Sequence, residues 1–416
     1  MIKHDQTQKP SDVFAFHMMI KPSGSQCNID CEYCFYLHKE NLLNQPKSPR
    51  MSDAVLEQHI VQYINAQTTD EVVFTWQGGE PTLMGLAFFK KAVELQKRHA
   101  KPNQRILNDL QTNGLLIDDE WCQFLKAENF LVGISIDGPK PLHDKLRVTK
   151  NGKPTFDYVK KAINLLHQYQ IPFHALCVVN HYNAQAPLEV YRFLRDEVRS
   201  RMIQFLSAVA PVDFDTQATL YMRASPDANE RRIHTHASCV TDWSVTPDDW
   251  GRFLVTVWHE WLANDYGKVF VDQFENTISQ AFGLGAQKCT TAPICGKALA
   301  IEHNGDVYSC DHFVYPEYRL GNITQIDESK LTFSQQQASF GYAKHLNLPS
   351  DCKRCKFLKL CWGECPKNRF IADSDGTHRL NYLCTGLKTY FSQVAQDLPT
   401  IHSRLTQAKV IPQAHR

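Results

Sequence analysis

Three cysteines in one short loop, Cys27, Cys31 and Cys34, constrain this chain more than any other feature. Their C-x3-C-x2-C spacing follows an apolar run that ends at Ile20, so the loop leaves the end of a predicted strand. Three thiolates at this spacing can hold three irons of a 4Fe-4S cube, whereas a closed electron-carrier cluster uses four Cys. The fourth iron is then left for a ligand from outside the protein. A zinc site that lacks one ligand, or three unrelated thiols, is the alternative interpretation.

The other cysteines separate into a dense group and isolated residues. Of the 14 cysteines, eight lie between Cys289 and Cys384. Cys122, Cys177 and Cys239 stand alone and are expected to be small core or surface residues. Eight thiolates are the number that two four-Cys sites need, and Cys-x2-Cys pairs serve zinc as well as iron–sulfur clusters. We favour iron–sulfur, because redox chemistry needs an electron acceptor and zinc has no redox states.

Composition excludes several classes of protein. The chain has 416 residues and a formal net charge of +1, so no bulk field favours nucleic acid or an anionic membrane as a partner. The N-terminal residues are polar, and no apolar run approaches the length of a membrane span. We therefore expect a cytoplasmic protein, where disulfides are rare and thiols remain available as ligands.

Strands and helices alternate through the first half of the chain. Helices are predicted at 52–65, 86–99, 118–127, 155–169 and 187–198, and strands at 13–20, 72–76, 105–110, 131–136, 173–179 and 202–206. Such alternation predicts a parallel sheet with helical crossovers. Because six units are fewer than the eight of a closed barrel, the expected fold is α/β, a partial (β/α)6 TIM-like barrel.

The loops that follow the predicted strands carry the candidate chemistry, since chemistry in such folds collects at the carboxyl ends of strands. Glycines before Glu80 let the backbone approach a ligand, and Glu80 could accept a hydrogen bond from a cationic amine. Ser135 could bond a ribose or a carboxylate, and Arg147 offers a fixed charge for a carboxylate. Taken singly, these residues could also be an ordinary turn, a cap and a solvated base.

The second half reads as helices followed by a cysteine-rich domain. A helix is predicted at 246–264, a packing segment at 269–283 and a hairpin with strands at 298–302 and 306–308, while 212–229 suits a surface insertion. We divide the chain into a polar tail at 1–12, the partial barrel at 13–240, a bridging helical region at 241–285, a cysteine-rich domain at 286–390 and a polar, helical C-terminal tail at 391–416.

Longer motifs identify a family. They are Lys21-Pro22-Ser23-Gly24, Cys34-Phe35-Tyr36, Trp76-Gln77-Gly78-Gly79-Glu80-Pro81-Thr82-Leu83, Gln111-Thr112-Asn113-Gly114, Tyr308-Ser309-Cys310-Asp311-His312-Phe313 and Arg319-Leu320-Gly321-Asn322-Ile323. With these motifs the chain resembles, over nearly its whole length, the anaerobic sulfatase-maturating enzymes, which are radical S-adenosylmethionine enzymes with a SPASM domain. The resemblance implies S-adenosylmethionine and three 4Fe-4S clusters as cofactors.

The resemblance also implies roles for individual residues. The triplet would hold the first cluster, and the two auxiliary clusters would be held by Cys289, Cys295, Cys310 and Cys365, and by Cys352, Cys355, Cys361 and Cys384. S-adenosylmethionine would contact Tyr33, Gly79, Glu80, Ser135, Arg147 and Val209, and Gln77 would face the substrate peptide. Asp311 matches the family's proposed base, although a carboxylate after Cys310 could also simply close a turn.

The implied reaction converts a Cys or Ser within a sulfatase Cys/Ser-x-Pro-x-Arg segment into Cα-formylglycine without oxygen. A 5′-deoxyadenosyl radical removes a hydrogen atom from Cβ, and the carbon radical then loses an electron to an auxiliary cluster and a proton to a carboxylate. The implied partners are an unfolded or nascent sulfatase polypeptide and a low-potential donor such as flavodoxin or ferredoxin.

Two other functions fit part of this pattern. The same clusters would support a maturase that forms a thioether or carbon–carbon crosslink in another peptide. A non-enzymatic iron–sulfur or zinc scaffold is the second alternative, but it leaves the three-Cys loop and the Gly-Gly-Glu loop unexplained. Reductive cleavage of S-adenosylmethionine would exclude the scaffold.

Overall fold

The computed structural model describes residues 16–215, 239–376 and 379–407. The predicted polar tail at 1–12 and the start of the first predicted strand at 13–15 lie outside these residues. So do residues 408–416 and most of the predicted surface insertion, of which only 212–215 are described.

The strand–helix alternation predicted from the sequence is confirmed. The strands are β1 (His17–Lys21), β2 (Ile29–Cys31), β3 (Glu71–Trp76), β4 (Arg105–Thr112), β5 (Leu131–Ser135), β6 (Arg147–Thr149), β7 (Phe173–Val179), β8 (Met202–Ser207), β9 (Phe270–Val271), β10 (Ala298–Glu302), β11 (Asp306–Tyr308), β12 (Arg319–Asn322), β13 (Arg369–Ala372) and β14 (Arg379–Asn381). The helices are α1 (Lys39–Leu42), α2 (Asp53–Ala66), α3 (Leu86–His99), α4 (Asp119–Ala127), α5 (Lys140–His143), α6 (Phe156–Gln168), α7 (Pro187–Arg192), α8 (Pro247–Asn264), α9 (Asp272–Ala281), α10 (Glu328–Thr332), α11 (Gln335–Leu346), α12 (Ser350–Lys353), α13 (Leu358–Cys361) and α14 (Cys384–Gln407).

Local sequence explains where the main helices begin. Ser52 Oγ accepts a hydrogen bond from the Val55 N–H at 3.3 Å at the start of α2, and Thr246 Oγ1 does the same for Asp249 at 3.1 Å before α8. The helix predicted at 187–198 differs from expectation at its end. After Arg192 it continues as a wider π-type turn at Phe193–Glu197.

A single sheet unites the barrel and the cysteine-rich domain. Its order is β12, β11, β10, β1, β3, β4, β5, β7, β8 and β9, and every pair from β10 to β9 is parallel. The predicted hairpin of β10 and β11 is antiparallel and is extended by β12. Because β10 pairs with β1 over Lys21 and Glu302, the hairpin lies directly beside the first barrel strand.

The core of the sheet is aromatic and its buried polar atoms are paired. Phe74 and Trp76 of β3 are fully buried, and Trp76 Nε1 donates to Asn108 Oδ1 at 2.8 Å. Asn108 in turn bonds Gln96 of α3, so this polar group costs little to bury. The strand is thereby fixed with its C-terminal end at the same edge as that of β4.

The C-terminal segment is not merely polar, as its sequence had indicated. Its helix α14 packs along α8 and buries Tyr390, Phe391 and Val394. Trp258 of α8 donates to Asp397 at 2.8 Å. A helical stripe of apolar side chains explains the difference, because a long amphipathic helix gains stability by covering a neighbour. Among the described residues, no helix combines the length and hydropathy needed to cross a bilayer.

Candidate active site

The triplet loop is held against the Gly-Gly-Glu loop by backbone hydrogen bonds. Gly79 donates to the carbonyl of Gly24 at 2.9 Å, and Glu80 donates to the carbonyl of Gln26 at 2.8 Å. Gln77, half-buried at the end of β3, donates its backbone N–H to Ile20 at 2.9 Å. The ends of β1 and β3 thus form one edge, as the parallel topology predicts.

The three thiols of the loop lie close enough to affect one another. Burial raises the pKa of Cys27 to about 12, and Glu80 and Cys34 raise it further. Burial likewise raises the pKa of Cys31, with Cys34 and Cys27 adding to the effect. Three buried thiols with raised pKa values suit a cationic metal cluster, since coordination supplies the positive charge that deprotonates a thiol.

Gly79 leaves no room for a side chain. A Cβ at this position would lie 2.0 Å from the carbonyl oxygen of Gln26, within the loop that carries the cysteines. The backbones therefore approach each other more closely than any other residue type would allow. This contact, rather than an unusual backbone angle, explains the glycine.

Gly79→Ala is expected to weaken S-adenosylmethionine binding at least tenfold, because the added methyl group displaces the triplet loop. Equilibrium binding to the cluster-loaded protein measures the effect. Gly152→Ala is the control: its φ is +70° and no atom lies within 4 Å of the added methyl group, so it should cost about 1–2 kcal/mol in stability but no ligand affinity. Equal binding by Gly79→Ala and wild type would contradict the prediction.

Glu80 is committed to the protein more fully than its sequence position indicates. Its carboxylate is buried and accepts hydrogen bonds from Thr82 N at 3.1 Å, Thr112 Oγ1 at 2.8 Å and Asn113 N at 2.8 Å. Burial raises the pKa of Glu80, while these hydrogen bonds oppose the rise. Glu80 therefore joins the loops after β3 and β4, and it retains acceptor capacity for a further donor.

A buried network joins three of the strand-end loops. Asp137 Oδ2 accepts hydrogen bonds from Tyr33 Oη and from Arg147 Nε, the latter at 3.0 Å, and Oδ1 accepts from Val178 N at 2.9 Å. Arg147 Nη1 lies 3.8 Å from Cys31 Sγ, because β6 pairs with β2 at Cys31. Arg147 is thus paired with a protein carboxylate, and it orients Tyr33 and Cys31 through Asp137.

Asp137 was not expected from the sequence to be a site residue, although it lies two residues after Ser135 at the end of the fourth predicted strand. Its position at the rim was the only available signal. Ser135 Oγ accepts a hydrogen bond from Gln111 Nε2 at 3.1 Å. Val209 is buried in the main hydrophobic core, whereas its neighbour Ala208 packs in the small cluster around Cys31 and Tyr33.

Asp311 reaches the barrel from the cysteine-rich domain. It forms an ion pair with Lys21, the last residue of β1, although 290 positions separate them in the chain. Burial favours a higher pKa for Asp311, but Lys21, with a smaller effect from His312, outweighs burial and lowers that pKa. The carboxyl group is therefore held ionised near the triplet loop.

The eight later cysteines form two groups of four. Burial raises the pKa of Cys310 well above its usual range, and Cys289, Cys295 and Cys365 raise it further. The second group lines a recess of about 330 Å³ with Phe357 and Phe391; its members are Cys352, Cys355, Cys361 and Cys384. Local spacing alone did not indicate this interleaved grouping, in which Cys365 joins residues from 55 positions or more upstream.

The surrounding chain supports the first group. Lys344 Nζ donates to the carbonyls of Cys289 at 2.7 Å and Thr290 at 2.6 Å, and the Gly341 carbonyl accepts from Cys295 N at 3.1 Å. Helix α11 therefore fixes the loop that carries two of the thiols. Within the described residues, no three Cys, His, Asp or Glu side chains converge as they would on a single metal ion. The buried thiols nevertheless fit a larger cluster by donor type.

Comparison with known proteins agrees with this arrangement. Residues 22–194 match the model of the radical SAM superfamily, and residues 289–356 match the SPASM model, an iron–sulfur cluster-binding domain. The fold and the two cysteine fields thus define a radical S-adenosylmethionine enzyme with an additional iron–sulfur domain, and its cofactors are 4Fe-4S clusters and S-adenosylmethionine.

Relatives of nearly equal length narrow this class. The chain is 45% identical to a serine-type anaerobic sulfatase-maturating enzyme of Bacteroides thetaiotaomicron, over 91% of this chain and 89% of the relative. It is 33% identical to a cysteine-type enzyme of Clostridium perfringens, over 90% and 95%. A solved structure of native anSMEcpe with bound AdoMet and a Kp18Cys peptide superposes with a TM-score of 0.79 at 31% identity, covering 93% of this chain and 99% of that one. The chain belongs to the anaerobic sulfatase-maturating enzyme family.

Proposed function

We propose that this enzyme oxidises the Cβ of a Ser or Cys in a sulfatase Ser/Cys-x-Pro-x-Arg segment to the aldehyde of Cα-formylglycine. The ion pair between Asp311 and Lys21 is the observation that carries the proposal. It brings a buried carboxylate of the cysteine-rich domain to the end of β1, six residues before the first cysteine of the triplet. A base is thereby available close to the predicted radical site.

The two kinds of cofactor would divide the chemistry with the protein. When bound, S-adenosylmethionine and the first cluster supply a radical that removes a hydrogen atom from Cβ, and the auxiliary clusters supply an electron acceptor. Once Cβ has lost the hydrogen atom, a Ser side chain becomes an aldehyde by losing one electron and its hydroxyl proton. Asp311 accepts that proton, and its lowered pKa keeps it ionised beforehand.

We assign the cofactors to the two cysteine fields. The triplet and the S-adenosylmethionine contacts at Tyr33, Gly79, Ser135 and Arg147 belong to the barrel at 13–240, with Glu80 and Val209 nearby and Gln77 facing the peptide. The auxiliary ligands lie in the domain at 286–390, beyond the bridging region at 241–285. The four thiols around one recess, and the four that raise one another's pKa values, support this assignment.

We infer that the substrate is an unfolded or nascent sulfatase polypeptide, since a buried Ser or Cys could not reach Asp311. Its electron donor would be a flavodoxin or ferredoxin, and the reaction would take place in the cytoplasm, where thiols stay reduced. The higher identity to a serine-type relative supports Ser as the preferred residue.

The test is anaerobic incubation of cluster-loaded protein with dithionite, S-adenosylmethionine and two matched peptides that contain Ser-x-Pro-x-Arg or Cys-x-Pro-x-Arg. Mass spectrometry should show an aldehyde on at least one peptide, with the Ser peptide converted faster. Deoxyadenosine without a change in either peptide would move the proposal to a crosslinking maturase. A fully iron-loaded protein that makes no deoxyadenosine would contradict both.

A further inference from the structure

Lys21 is a buried lysine whose charge is directed at one carboxylate. Its side chain is 2% exposed, and its ammonium group pairs with Asp311, which is 16% exposed. A buried ammonium needs such a partner, because an unpaired charge away from water is costly. The residual exposure of Asp311 leaves the carboxylate accessible to a substrate while Lys21 itself is shielded.

The lysine stem is fixed on several sides. Its ammonium group lies 4.6 Å from the centre of the Tyr36 ring, a distance typical of a cation–π contact. Tyr36 is itself held by a hydrogen bond to Glu302, the residue that faces Lys21 across the pairing of β1 with β10. A Cβ added at Gly78 would lie 3.3 Å from Lys21 Cδ, so the adjacent loop also closes on the stem.

Asp311 has less support from its own segment. It begins the short 3-10 turn Asp311–Phe313, and the turn has no side-chain cap. The ion pair of the Asp311 side chain is made with β1, not with the segment that carries it. The position of the carboxylate over the barrel rim is therefore set by a residue of the opposite domain.

We propose that Lys21 is a positioning residue that holds the Asp311 carboxylate in place for proton transfer from the substrate radical. This inference rests on the proposed function. The Lys21-Pro22-Ser23-Gly24 segment thus has a role beyond leading into the cysteine loop. Because the ion pair crosses from β1 to the cysteine-rich domain, Lys21 also couples the base to the strand that precedes the triplet.

The test compares Lys21→Met, Lys21→Arg and the double variant Lys21→Met/Asp311→Asn with wild type, all cluster-loaded. Lys21→Met should retain the iron content, the deoxyadenosine yield and, in protein without reductant, the calorimetric affinity for the substrate peptide. Its aldehyde yield per deoxyadenosine should fall about tenfold or more. Lys21→Arg keeps a cation in reach of the carboxylate and should recover most of this ratio.

Two further readouts separate positioning from general damage. The double variant should be no worse than Asp311→Asn alone, because residues that act as a unit are not additive. A crystal structure of Lys21→Met should show the Asp311 carboxylate turned away from its place beside β1. Lys39→Met is the matched control: it removes another buried lysine, whose ammonium lies over the Tyr315 ring at 3.1 Å, and should leave the ratio within about twofold.

The possible results are distinct. An unchanged aldehyde ratio in Lys21→Met, or an Arg variant as impaired as the Met variant, would overturn the role of Lys21. An unmoved carboxylate in the Lys21→Met structure would do the same. If wild type in the same assay cleaves S-adenosylmethionine but makes no aldehyde, the proposed function itself fails and this role fails with it. Should Lys21→Met not fold, the Arg and double variants decide, since neither leaves Asp311 as an unpaired buried charge.

Discussion

Asp311→Asn is expected to cleave S-adenosylmethionine at close to the wild-type rate while forming aldehyde at least a hundredfold more slowly. The amide keeps the shape of the side chain but cannot accept the substrate proton, and general-base catalysis typically contributes about 10²–10⁴ in rate. Asp311 does not belong to the triplet or to the network of Tyr33, Asp137 and Arg147, so formation of deoxyadenosine should continue. Parallel chromatography of deoxyadenosine and mass spectrometry of the peptide measure the two products.

Asp306→Asn provides a matched control for this substitution. Asp306 lies on the same hairpin and is 15% exposed, close to the 16% of Asp311, but it pairs with Arg319 on the outer strand. Its amide variant should keep the wild-type ratio of aldehyde to deoxyadenosine. If Asp311→Asn also kept that ratio, Asp311 would not be the base.

Cys31→Ala is expected to abolish deoxyadenosine formation and, with it, every downstream product. Cys31 is the central thiol of the triplet, and its strand β2 is fixed by pairing with β6. Loss of one of three thiolates removes a ligand that no other described cysteine can supply at that site. The iron content should fall by about one third, since two of three clusters remain.

Cys122→Ala tests whether loss of a buried thiol alone explains the result. Cys122 is fully buried in α4 and stands apart from both cysteine fields, so its variant should keep the full iron content and deoxyadenosine yield. Its cost should be confined to stability, at about 1–2 kcal/mol for a small buried side chain. Wild-type deoxyadenosine yield from Cys31→Ala would contradict the assignment of the triplet.

Periodic and local signals were reliable where the structure depends on neighbours in the chain. The strands of the barrel and the helix starts at Ser52 and Thr246 follow from apolar patterning and capping residues. The hairpin around Gly305, whose φ is +86°, follows from its turn residues. Such features need only a few adjacent residues, so the sequence displays them directly.

Contacts between distant segments were not visible in the same way. The pairing of β10 with β1, the short strand β9 at the far edge and the packing of α14 on α8 depend on which buried surfaces fit together. Asp137 looked like a loop residue, although it forms the centre of a buried network. Glu80 looked like a free acceptor, although the loop after β4 already uses its carboxylate.

The spacing of the first three cysteines, the alternation of strands and helices and the family motifs were enough to predict the class of enzyme. Ligand spacing is a local property, because one loop must place three thiolates around one cluster. The tertiary structure alone brought Asp311 to Lys21 and sorted the later cysteines into two groups. These contacts join residues up to 290 positions apart, and only burial of the whole sheet, which pairs β1 with β10, selects them.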